Sequence, residues 1–428
     1  MNIQDIHNLF LQCSSLSIDT RKIEKNSMFF AIKGENFDAN TFAKEALDLG
    51  ALFVVIDNES YFIDERTILV ENSLETLQEL AKFHRSHLAL PIVALTGSNG
   101  KTTTKELINV VLSKKFKTKA TIGNLNNHIG VPLTLLSFTK ETEIGIVEMG
   151  ANHQKEIEFL CQIAQPDYGY ITNFGKAHLE GFGGVEGVIA GKSEMYQYLS
   201  ANQKTVFVNL EDPIQVEKSK GIKSFTFGVN NQNADLNIQR IEANPFVIIN
   251  YNDFQIESHL IGLYNSNNIN AAVAIGKYFQ VQESDIKSAI ENYIPANNRS
   301  QMMQKGSNEI ILDAYNANPS SMAVAITNFL QLDKKNKIMI LGDMFELGDE
   351  SLYEHKVLVD SLVDQKQALC FLIGKSFYAN KISNENVQFF ETFDLFAEYL
   401  KNYEFNSNTI LIKGSRGMAL ERSLEYIS

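Results

Sequence analysis

Short apolar runs recur along this chain and are separated by segments whose apolar residues fall at helical spacing. Near the N-terminus, runs at 28–32 and 52–56 predict two strands, and the spacing at 41–49 and 74–88 predicts two helices. Pro91 follows the second helix and marks a plausible boundary. Residues 1–88 therefore predict a small α/β domain.

The middle of the chain repeats the alternation of strand and helix more regularly. Apolar runs at 91–95, 144–148, 168–172 and 206–209 are bounded by turn residues, which is typical of buried strands. This rhythm predicts a parallel sheet covered by helices over residues 89–294, with a more antiparallel patch between 223 and 260.

Residues 293–299 interrupt the pattern and predict a linker. New apolar runs follow at 310–312, 337–341, 369–373 and 409–412, with helical segments between them. They predict a second, doubly wound sheet over residues 295–428. The expected fold class is α/β with three domains: a small N-terminal domain, a central parallel-sheet domain and a C-terminal Rossmann-like domain.

Composition narrows the functional classes. Hydrophobic residues make up 44% of the chain and 38 basic residues stand against 51 acidic ones, giving a net charge of −13. This balance argues against nonspecific nucleic-acid binding, although a local cluster of Lys and Arg could still hold an anionic substrate. The three cysteines are widely separated, no apolar run reaches about 20 residues, and we expect no signal peptide. We expect a cytoplasmic protein, without membrane insertion and monomeric.

The run that follows the strand at 91–95 carries the clearest chemistry. It reads T-G-S-N-G-K-T-T and leads into a helical pattern. Glycines let backbone N–H groups approach phosphates, Lys reaches the outer phosphates and Thr reaches Mg²⁺, so the loop predicts ATP binding. The general phosphate-loop pattern requires Gly at position 95, where Leu95 stands, and a chance Gly-Lys-Thr in a surface loop is the alternative. The predicted ATP-binding residues of the loop are Gly97, Ser98, Asn99, Gly100, Lys101, Thr102 and Thr103.

Two polar residues end or follow neighbouring predicted strands. Glu148 ends one strand and His178 lies shortly after another. Ligands in open α/β sheets bind beyond the carboxyl ends of the strands, so both side chains are expected near the phosphate loop. With Thr102 they could hold Mg²⁺. Taken singly, His178 is more often a structural histidine, and Glu148 a solvated strand end.

The short loop T-G-x-x-G-K-T-T resembles that of the Mur ligase family, which includes the folylpolyglutamate synthases. Further segments in all three predicted domains resemble family motifs. Three positions depart from those motifs: Tyr264 replaces a His, while Ala39 and Asn40 replace Gly and His. The resembling segments are residues 17–21, 34–40, 123–132, 262–268, 313–319, 341–348 and 413–418.

The resemblance implies an ATP-dependent amide ligation that joins D-alanyl-D-alanine to UDP-N-acetylmuramoyl-tripeptide through an acyl phosphate, in peptidoglycan precursor synthesis. It implies that Lys101 stabilises the transferring phosphoryl group. It implies two Mg²⁺ sites, one at Thr102 and Glu148 and one at His178 and a carbamylated Lys192. Asn265, Asn268, Arg299 and Asp313 would bind ATP. The other implied substrate-binding residues are Ser17, Thr20, Arg21, Asn36 and Phe37 for the UDP end, Asn126 and Asn127 for the sugar and peptide, and Asn316 and Asn318 for the dipeptide.

Other readings stay open from the sequence. A related ligase could use another acceptor, as folylpolyglutamate synthases do. A phosphotransferase or NTPase switch would need the loop but neither the third domain nor Lys192. A catalytically inactive binding protein on the same fold is disfavoured by the presence of Lys101, Thr102, Glu148, His178 and Lys192 together.

Overall fold

The structure is a computed structural model that describes residues 1–296 and 298–428. Asn297, in the predicted linker, lies outside the described residues. The chain forms three α/β units in sequence, each built around its own mostly parallel sheet. This confirms the expected fold class.

The N-terminal unit is a four-stranded parallel sheet in the order β1-β2-β5-β6, with a small hairpin beside it. Its strands are β1 (Leu16–Ser17), β2 (Met28–Phe30), β3 (Lys33–Gly34), β4 (Phe37–Asp38), β5 (Phe53–Ile56) and β6 (Thr67–Leu69). Its helices are α1 (Ile3–Phe10), α2 (Ala43–Asp48) and α3 (Ser73–Leu88), with 3₁₀ turns at Thr20–Lys22, Ala39–Phe42 and Glu59–Tyr61.

The central unit is a seven-stranded parallel sheet in the order β13-β12-β11-β10-β7-β9-β8, joined to an antiparallel sheet of β14-β15-β16. Its strands are β7 (Ile92–Thr96), β8 (Thr118–Ala120), β9 (Ile144–Glu148), β10 (Tyr168–Ile171), β11 (Thr205–Asn209), β12 (Lys223–Val229), β13 (Leu236–Ile238), β14 (Arg240–Ala243), β15 (Phe246–Tyr251) and β16 (Phe254–Ile261). Its helices are α4 (Lys101–Leu112), α5 (Gly130–Leu136), α6 (Glu156–Ala164), α7 (Leu179–Phe182), α8 (Val185–Ala201), α9 (Pro213–Lys218), α10 (Ser266–Tyr278) and α11 (Glu283–Glu291), with a 3₁₀ turn at Leu263–Asn265.

The C-terminal unit is a six-stranded sheet in the order β17-β18-β22-β19-β20-β21, parallel except for the edge strand β17. Its strands are β17 (Gln301–Lys305), β18 (Asn308–Asp313), β19 (Lys337–Gly342), β20 (Ala368–Ile373), β21 (Val387–Phe390) and β22 (Thr409–Lys413). Its helices are α12 (Pro319–Gln331), α13 (Ser351–Val363), α14 (Lys375–Ala379) and α15 (Phe393–Leu400), with 3₁₀ segments at Gly348–Glu350, Arg416–Met418 and Leu420–Tyr426.

The strand that leads to the phosphate loop shows why these sequences form interior strands. All five residues of β7 are buried, because helices cover both faces of the central sheet. Val93 and Leu95 pack on the side of α4 and α10, whereas Ile92 and Ala94 face the opposite helices. The continuous apolar run therefore places the loop rigidly at the carboxyl edge of the sheet.

One expectation about the central unit was wrong in part. The antiparallel patch was expected from residue 223, but β12 and β13 extend the parallel sheet, and antiparallel pairing begins only at β14. The edge strands β17 and β21 lay outside the expected runs, because edge strands need less continuous apolar sequence than buried ones.

Helix α3 connects the N-terminal unit to the central one. Asn72 caps its first turn, and Ala89 ends it in the left-handed region, φ 51°. Near its end, Arg85 donates to Asp167 of the central unit at 2.8 Å. Within the described residues, none of the helices combines the length and the apolar character that crossing a membrane requires.

Candidate active site

A cavity of ≈ 720 Å³ lies between the carboxyl edge of the central sheet and the C-terminal unit. The loops after β7, β9 and β10 line one side of it, and residues at the carboxyl ends of β18 and β22 line the other. Most of the residues predicted for ATP and metal binding meet here: Ser98, Asn99, Gly100, Lys101, Thr102, Thr103, Glu148, His178, Asn265, Asn268, Arg299 and Asp313.

The phosphate loop depends on glycine at two positions. Gly97 has φ +145°, and a Cβ there would lie 1.9 Å from the hydroxyl oxygen of Thr172. Gly100 has φ +79°, and a Cβ would lie 2.5 Å from Asn268 Oδ1. The loop thus packs tightly against β10 and α10, and no larger residue fits.

Lys101 begins α4 and turns back onto its own loop. Its Nζ donates to the Gly97 carbonyl at 2.7 Å. Burial lowers the pKa of the Lys101 ammonium, and the carboxylate of Glu148 opposes that shift. A triphosphate would offer this cation stronger acceptors than the loop carbonyl.

Glu148 ends β9, and only one of its two carboxylate oxygens accepts a hydrogen bond from the described residues. Its side chain is 1% exposed. Asn126 Nδ2 donates to Oε1 at 2.8 Å, whereas Oε2 has no hydrogen-bond partner among the described residues and lies 4.0 Å from Lys105 Nζ. A buried carboxylate oxygen without a donor is costly unless a cation approaches it. This donor set, with Thr102 in the same cavity lining, suits a hard divalent cation.

His178 and Lys192 lie in different surroundings. His178 lines the cavity and pairs through Nδ1 with Glu346 of the C-terminal unit, which lowers the pKa of that carboxyl. Lys192 is 1% exposed and lies outside the cavity lining, with Nζ 5.3 Å from the centre of the Phe182 ring. Burial and the charge of Lys101 hold the pKa of Lys192 well below its ordinary value. In the part of the chain that the structure describes, no three His, Cys, Asp or Glu side chains form a metal-binding group.

The side chains of Asn265 and Asn268 are hydrogen-bonded to each other. Asn268 Nδ2 donates to Asn265 Oδ1 at 2.8 Å, and Asn268 Oδ1 accepts from Thr104 at 3.0 Å. Asn265 Nδ2 donates to the carbonyl of Ile261 at 2.8 Å. This chain of carboxamides ties α10 to α4. Tyr264, which replaces the family's His, bonds through its hydroxyl to Ser300 at 2.7 Å.

Arg299 and Asp313 face the phosphate loop from the C-terminal unit. The Arg299 guanidinium lies 3.6 Å from the centre of the Tyr315 ring, which fixes its plane. Asp313 accepts from the Ser300 backbone N–H at 3.1 Å and pairs with Lys413 Nζ at 2.6 Å. Lys413, the first residue of the motif segment 413–418, also lines the cavity, although the sequence analysis assigned it no role. The parallel pairing of β18 with β22 places Lys413 beside Asp313. The spacing of residues along the sequence does not reveal this contact.

The residues expected to bind the sugar, the peptide and the dipeptide also line the cavity, but their side chains differ in how many hydrogen bonds they already make within the protein. Asn127 Oδ1 accepts from the Ile129 and Gly130 N–H groups and shapes the start of α5. Asn316 is exposed, whereas Asn318 is 6% exposed and fully engaged in hydrogen bonds. Of these two, Asn316 has the freer side chain for a ligand.

The predicted UDP-binding residues lie outside the cavity lining, on the N-terminal unit. Arg21, Asn36 and Phe37 are exposed, whereas Ser17 is buried and Thr20 is partly exposed. The Arg21 guanidinium is paired with Asp19 at 2.8 Å, and Phe37 stacks on Phe42. Asn40, which replaces the family's His, donates to both Asp38 and Asp57 at 2.7 Å and fixes the loop behind Phe37.

Family models match each of the three units. The Mur ligase family, catalytic domain, matches residues 12–85, the Mur ligase middle domain matches 95–276, and the Mur ligase, glutamate ligase domain, matches 298–416.

Relatives match over nearly the full length. A UDP-N-acetylmuramoyl-tripeptide–D-alanyl-D-alanine ligase of Bacillus subtilis is 33% identical, covering 95% of this chain and 91% of the relative. The ligase of that name from Escherichia coli is 32% identical, covering 98% and 96%. Two solved structures are also similar. MurF from Acinetobacter baumannii has a TM-score of 0.86 at 30% identity, covering 99% of this chain and 98% of that one. MurF ligase from Thermotoga maritima in complex with ADP has a TM-score of 0.83 at 26% identity, covering 97% of each chain. The chain belongs to the Mur ligase family.

Proposed function

We propose that this protein is an ATP-dependent ligase that adds D-alanyl-D-alanine to UDP-N-acetylmuramoyl-tripeptide, in peptidoglycan precursor synthesis. The observation that carries the proposal is the near full-length similarity to ligases of that name, which extends through all three units. A match confined to the phosphate-loop unit would have left a phosphotransferase as good a candidate.

The cavity supports ATP as the nucleotide. The Thermotoga maritima neighbour is described as a complex with ADP. Here the phosphate loop faces Arg299, Asp313 and Lys413 across the same cavity. The phosphate end of a nucleotide would lie on the loop, its adenine would contact Asn265 and Asn268 of the central unit, and Arg299 and Asp313 would reach it from the linker and the C-terminal unit.

The reaction joins a carboxylate to an amine at the expense of ATP. The tripeptide carboxylate attacks the γ-phosphate, ADP leaves, and an acyl phosphate forms. The amine of D-alanyl-D-alanine then attacks the acyl carbon, loses a proton, and inorganic phosphate leaves. The first step brings two anions together, and Lys101 with the loop N–H groups offsets their repulsion. Holding the three reactants in one cavity provides the orientation that both steps require.

The residues present fit the metal that the family implies. Bound magnesium would neutralise charge on the triphosphate oxygens, and Thr102 and Glu148 are the side chains that would hold it. His178 and a carbamylated Lys192 would hold a second ion. Burial and the nearby charge of Lys101 favour the neutral amine of Lys192, the form that adds CO₂.

The remaining assignments divide the substrates among the units. Ser17, Thr20, Arg21, Asn36 and Phe37 would hold the UDP end, Asn126 and Asn127 the sugar and peptide, Asn265 and Asn268 the adenine, and Asn316 the dipeptide. The proposed domain boundaries are 1–88, 89–294 and 295–428. We further propose a cytoplasmic, monomeric enzyme.

Phosphate release from ATP with Mg²⁺ tests the reaction. The tripeptide nucleotide, with either meso-diaminopimelate or L-lysine as third residue, and D-alanyl-D-alanine are added singly and together, and the product is identified by mass. Release that requires both, with a UDP-muramoyl-pentapeptide product, supports the ligase. Release with neither substrate favours an NTPase or phosphotransferase. Absence of release with either tripeptide favours another acceptor.

A further inference from the structure

The start of α12 touches the phosphate loop through one side chain. Asn318 Oδ1 accepts the Ser321 backbone N–H at 2.9 Å as the helix N-cap, so its Nδ2 must point the other way. That Nδ2 donates to Asn99 Oδ1 at 2.7 Å. The cap therefore fixes the orientation of both carboxamides, and Asn318 bridges the C-terminal unit to the loop.

Asn99 is held as firmly on its own side. Its backbone N–H donates to Asn173 Oδ1 at 3.1 Å, and its carbonyl accepts from Thr172 Oγ1 at 2.6 Å and Asn173 Nδ2 at 3.0 Å. These bonds anchor the middle of the phosphate loop to the end of β10. The position of Asn99 Oδ1 is thus a direct consequence of the loop's conformation.

A second contact lies beside the first. The Lys176 backbone N–H donates to Ser320 Oγ at 2.9 Å, in the first turn of α12. Gly175 leaves the space between the two units free of side chain, since a Cβ there would lie 2.9 Å from Asn99 Nδ2 and 3.2 Å from Ser320 Oγ. Glycine at 175 permits α12 to approach the loop closely.

We infer that Asn318 is a positioning residue that holds the C-terminal unit against the phosphate loop, so that the loop's conformation and the closure of that unit are coupled. This inference depends on the proposed ligase function only in its kinetic test, and not in the test by radius of gyration. It differs from the sequence-based expectation that Asn318 binds the dipeptide, because both polar atoms of its carboxamide are engaged within the protein.

The substitution Asn318→Ser removes the hydrogen bond to Asn99 while it keeps an N-cap for α12. Serine is as good an N-cap as asparagine, so α12 should keep its start, but its side chain is too short to reach Asn99. The matched control is Asn72→Ser, the same substitution at the N-cap of α3, where the side chain accepts from Leu74 and Glu75 on an exposed surface.

Two readouts are measured for each variant. Small-angle X-ray scattering with a non-hydrolysable ATP analogue and Mg²⁺ gives the radius of gyration, and ligation assays give kcat/KM for D-alanyl-D-alanine. We expect Asn318→Ser to enlarge the radius of gyration and to lower kcat/KM by about fivefold to tenfold, the effect of one lost hydrogen bond. Asn72→Ser should stay within about twofold of the unsubstituted protein, at the same radius.

The double variant Asn99→Ala/Asn318→Ser gives the decisive test. Asn99→Ala already lacks the hydrogen bond between residues 99 and 318, so adding Asn318→Ser removes no further bond between the units. The radius of gyration of the double variant should equal that of Asn99→Ala alone. An unchanged radius for Asn318→Ser, with a raised KM for the dipeptide, would overturn the inference in favour of a dipeptide ligand. If the unsubstituted protein forms no ligated product while the change in radius persists, the proposed function fails and the positioning role stands.

Discussion

The side-chain hydrogen bonds of Lys101 are local. Among the described residues, its Nζ donates only to carbonyls of its own loop, those of Gly97 and Ser98. Lys101→Ala should therefore leave the melting temperature within a few degrees of the unsubstituted value. It should lower ATP-dependent phosphate release by at least about a hundredfold, because a preorganised cation at the transferring phosphoryl group is lost.

Phosphate release and thermal melting, measured on the same preparation, check this pair of expectations. Lys140→Ala, at an exposed lysine, is the control. A Lys101→Ala protein with ordinary turnover would remove the loop lysine from the mechanism.

Lys192 is a buried lysine whose Nζ lies 5.3 Å from the centre of the Phe182 ring. Its lowered pKa means that more of it is neutral near pH 7, which is the form that reacts with CO₂. We expect protein incubated with ¹³C-bicarbonate to show a carbamate resonance that is absent from Lys192→Ala. We also expect Lys192→Ala to be inactive and partly restored by a small carboxylic acid.

An exposed lysine gives the comparison. Lys155→Ala should keep both the resonance and the activity, because Lys155 lies on the surface. A Lys192→Ala protein that is active without added CO₂ would contradict the carbamate.

The sequence could predict the loop residues and Glu148 because each follows directly on its own strand. It could not predict what else those side chains touch. Asn268 and Asn318 match family motifs, yet the structure engages them with Thr104 and Asn99, residues far away in the chain. The pairing of Lys413 with Asp313 was not predicted, although both residues begin motif segments, because the two are neighbours only across paired strands.

At the scale of elements, the contact between α1 and α3 contains two buried histidines. His7 Nε2 lies 3.0 Å from His84 Nδ1, and His84 Nε2 lies 3.0 Å from the Phe138 carbonyl. The carbonyl can only accept, so His84 donates to it through Nε2, and with both rings neutral His7 donates to His84 Nδ1. Burial disfavours a charge on either ring, and the nearby His87 adds to the cost of charging them.

This histidine pair predicts that stability falls in mild acid. Burial and the neighbouring histidines lower the pKa of His7 from 6.5 to about 4, and burial also lowers the pKa of His84. The unfolded chain therefore binds more protons than the folded one between about pH 6.5 and pH 4. Stability is complete above about pH 6.5 and is lost as the pH falls toward 4.

Melting temperatures between pH 7.5 and pH 4.5 measure this dependence. His7→Gln keeps an N–H donor for His84 but cannot titrate, so its melting temperature should fall less on acidification. His153→Gln, at an exposed histidine, should behave as the unsubstituted protein does. An equal fall for His7→Gln would place the acid sensitivity elsewhere.

Element order was more predictable than pairing. The apolar runs of β7, β9 and β11 are buried at every position, so period and length alone identified them. The pairing of β12 depends on the path of residues 230–238, which local sequence does not determine. In the structure this path brings β13 alongside β12 in parallel, where antiparallel pairing was expected.

At the scale of the whole molecule, charged contacts accompany the neutral ones between the central and C-terminal units. Lys176 Nζ lies 2.5 Å from Glu354 Oε1, and His178 pairs with Glu346. The Lys176 side chain is 44% exposed, although that of Glu354 is only 6% exposed, so dissolved salt can reach this pair and screen it. The arrangement of the two units should therefore depend on ionic strength.

We expect the radius of gyration of the ligand-free protein to grow as NaCl rises from 0.1 M to 1 M, because the Debye length falls from about 10 Å to about 3 Å. Lys176→Met should be expanded already at 0.1 M and should change less with salt. Lys155→Met, which removes an exposed pair with Glu158 on the central unit alone, should follow the unsubstituted protein. A radius that stays constant with salt would mean that neutral contacts, such as that of Asn318 with Asn99, hold the units together without help from charge.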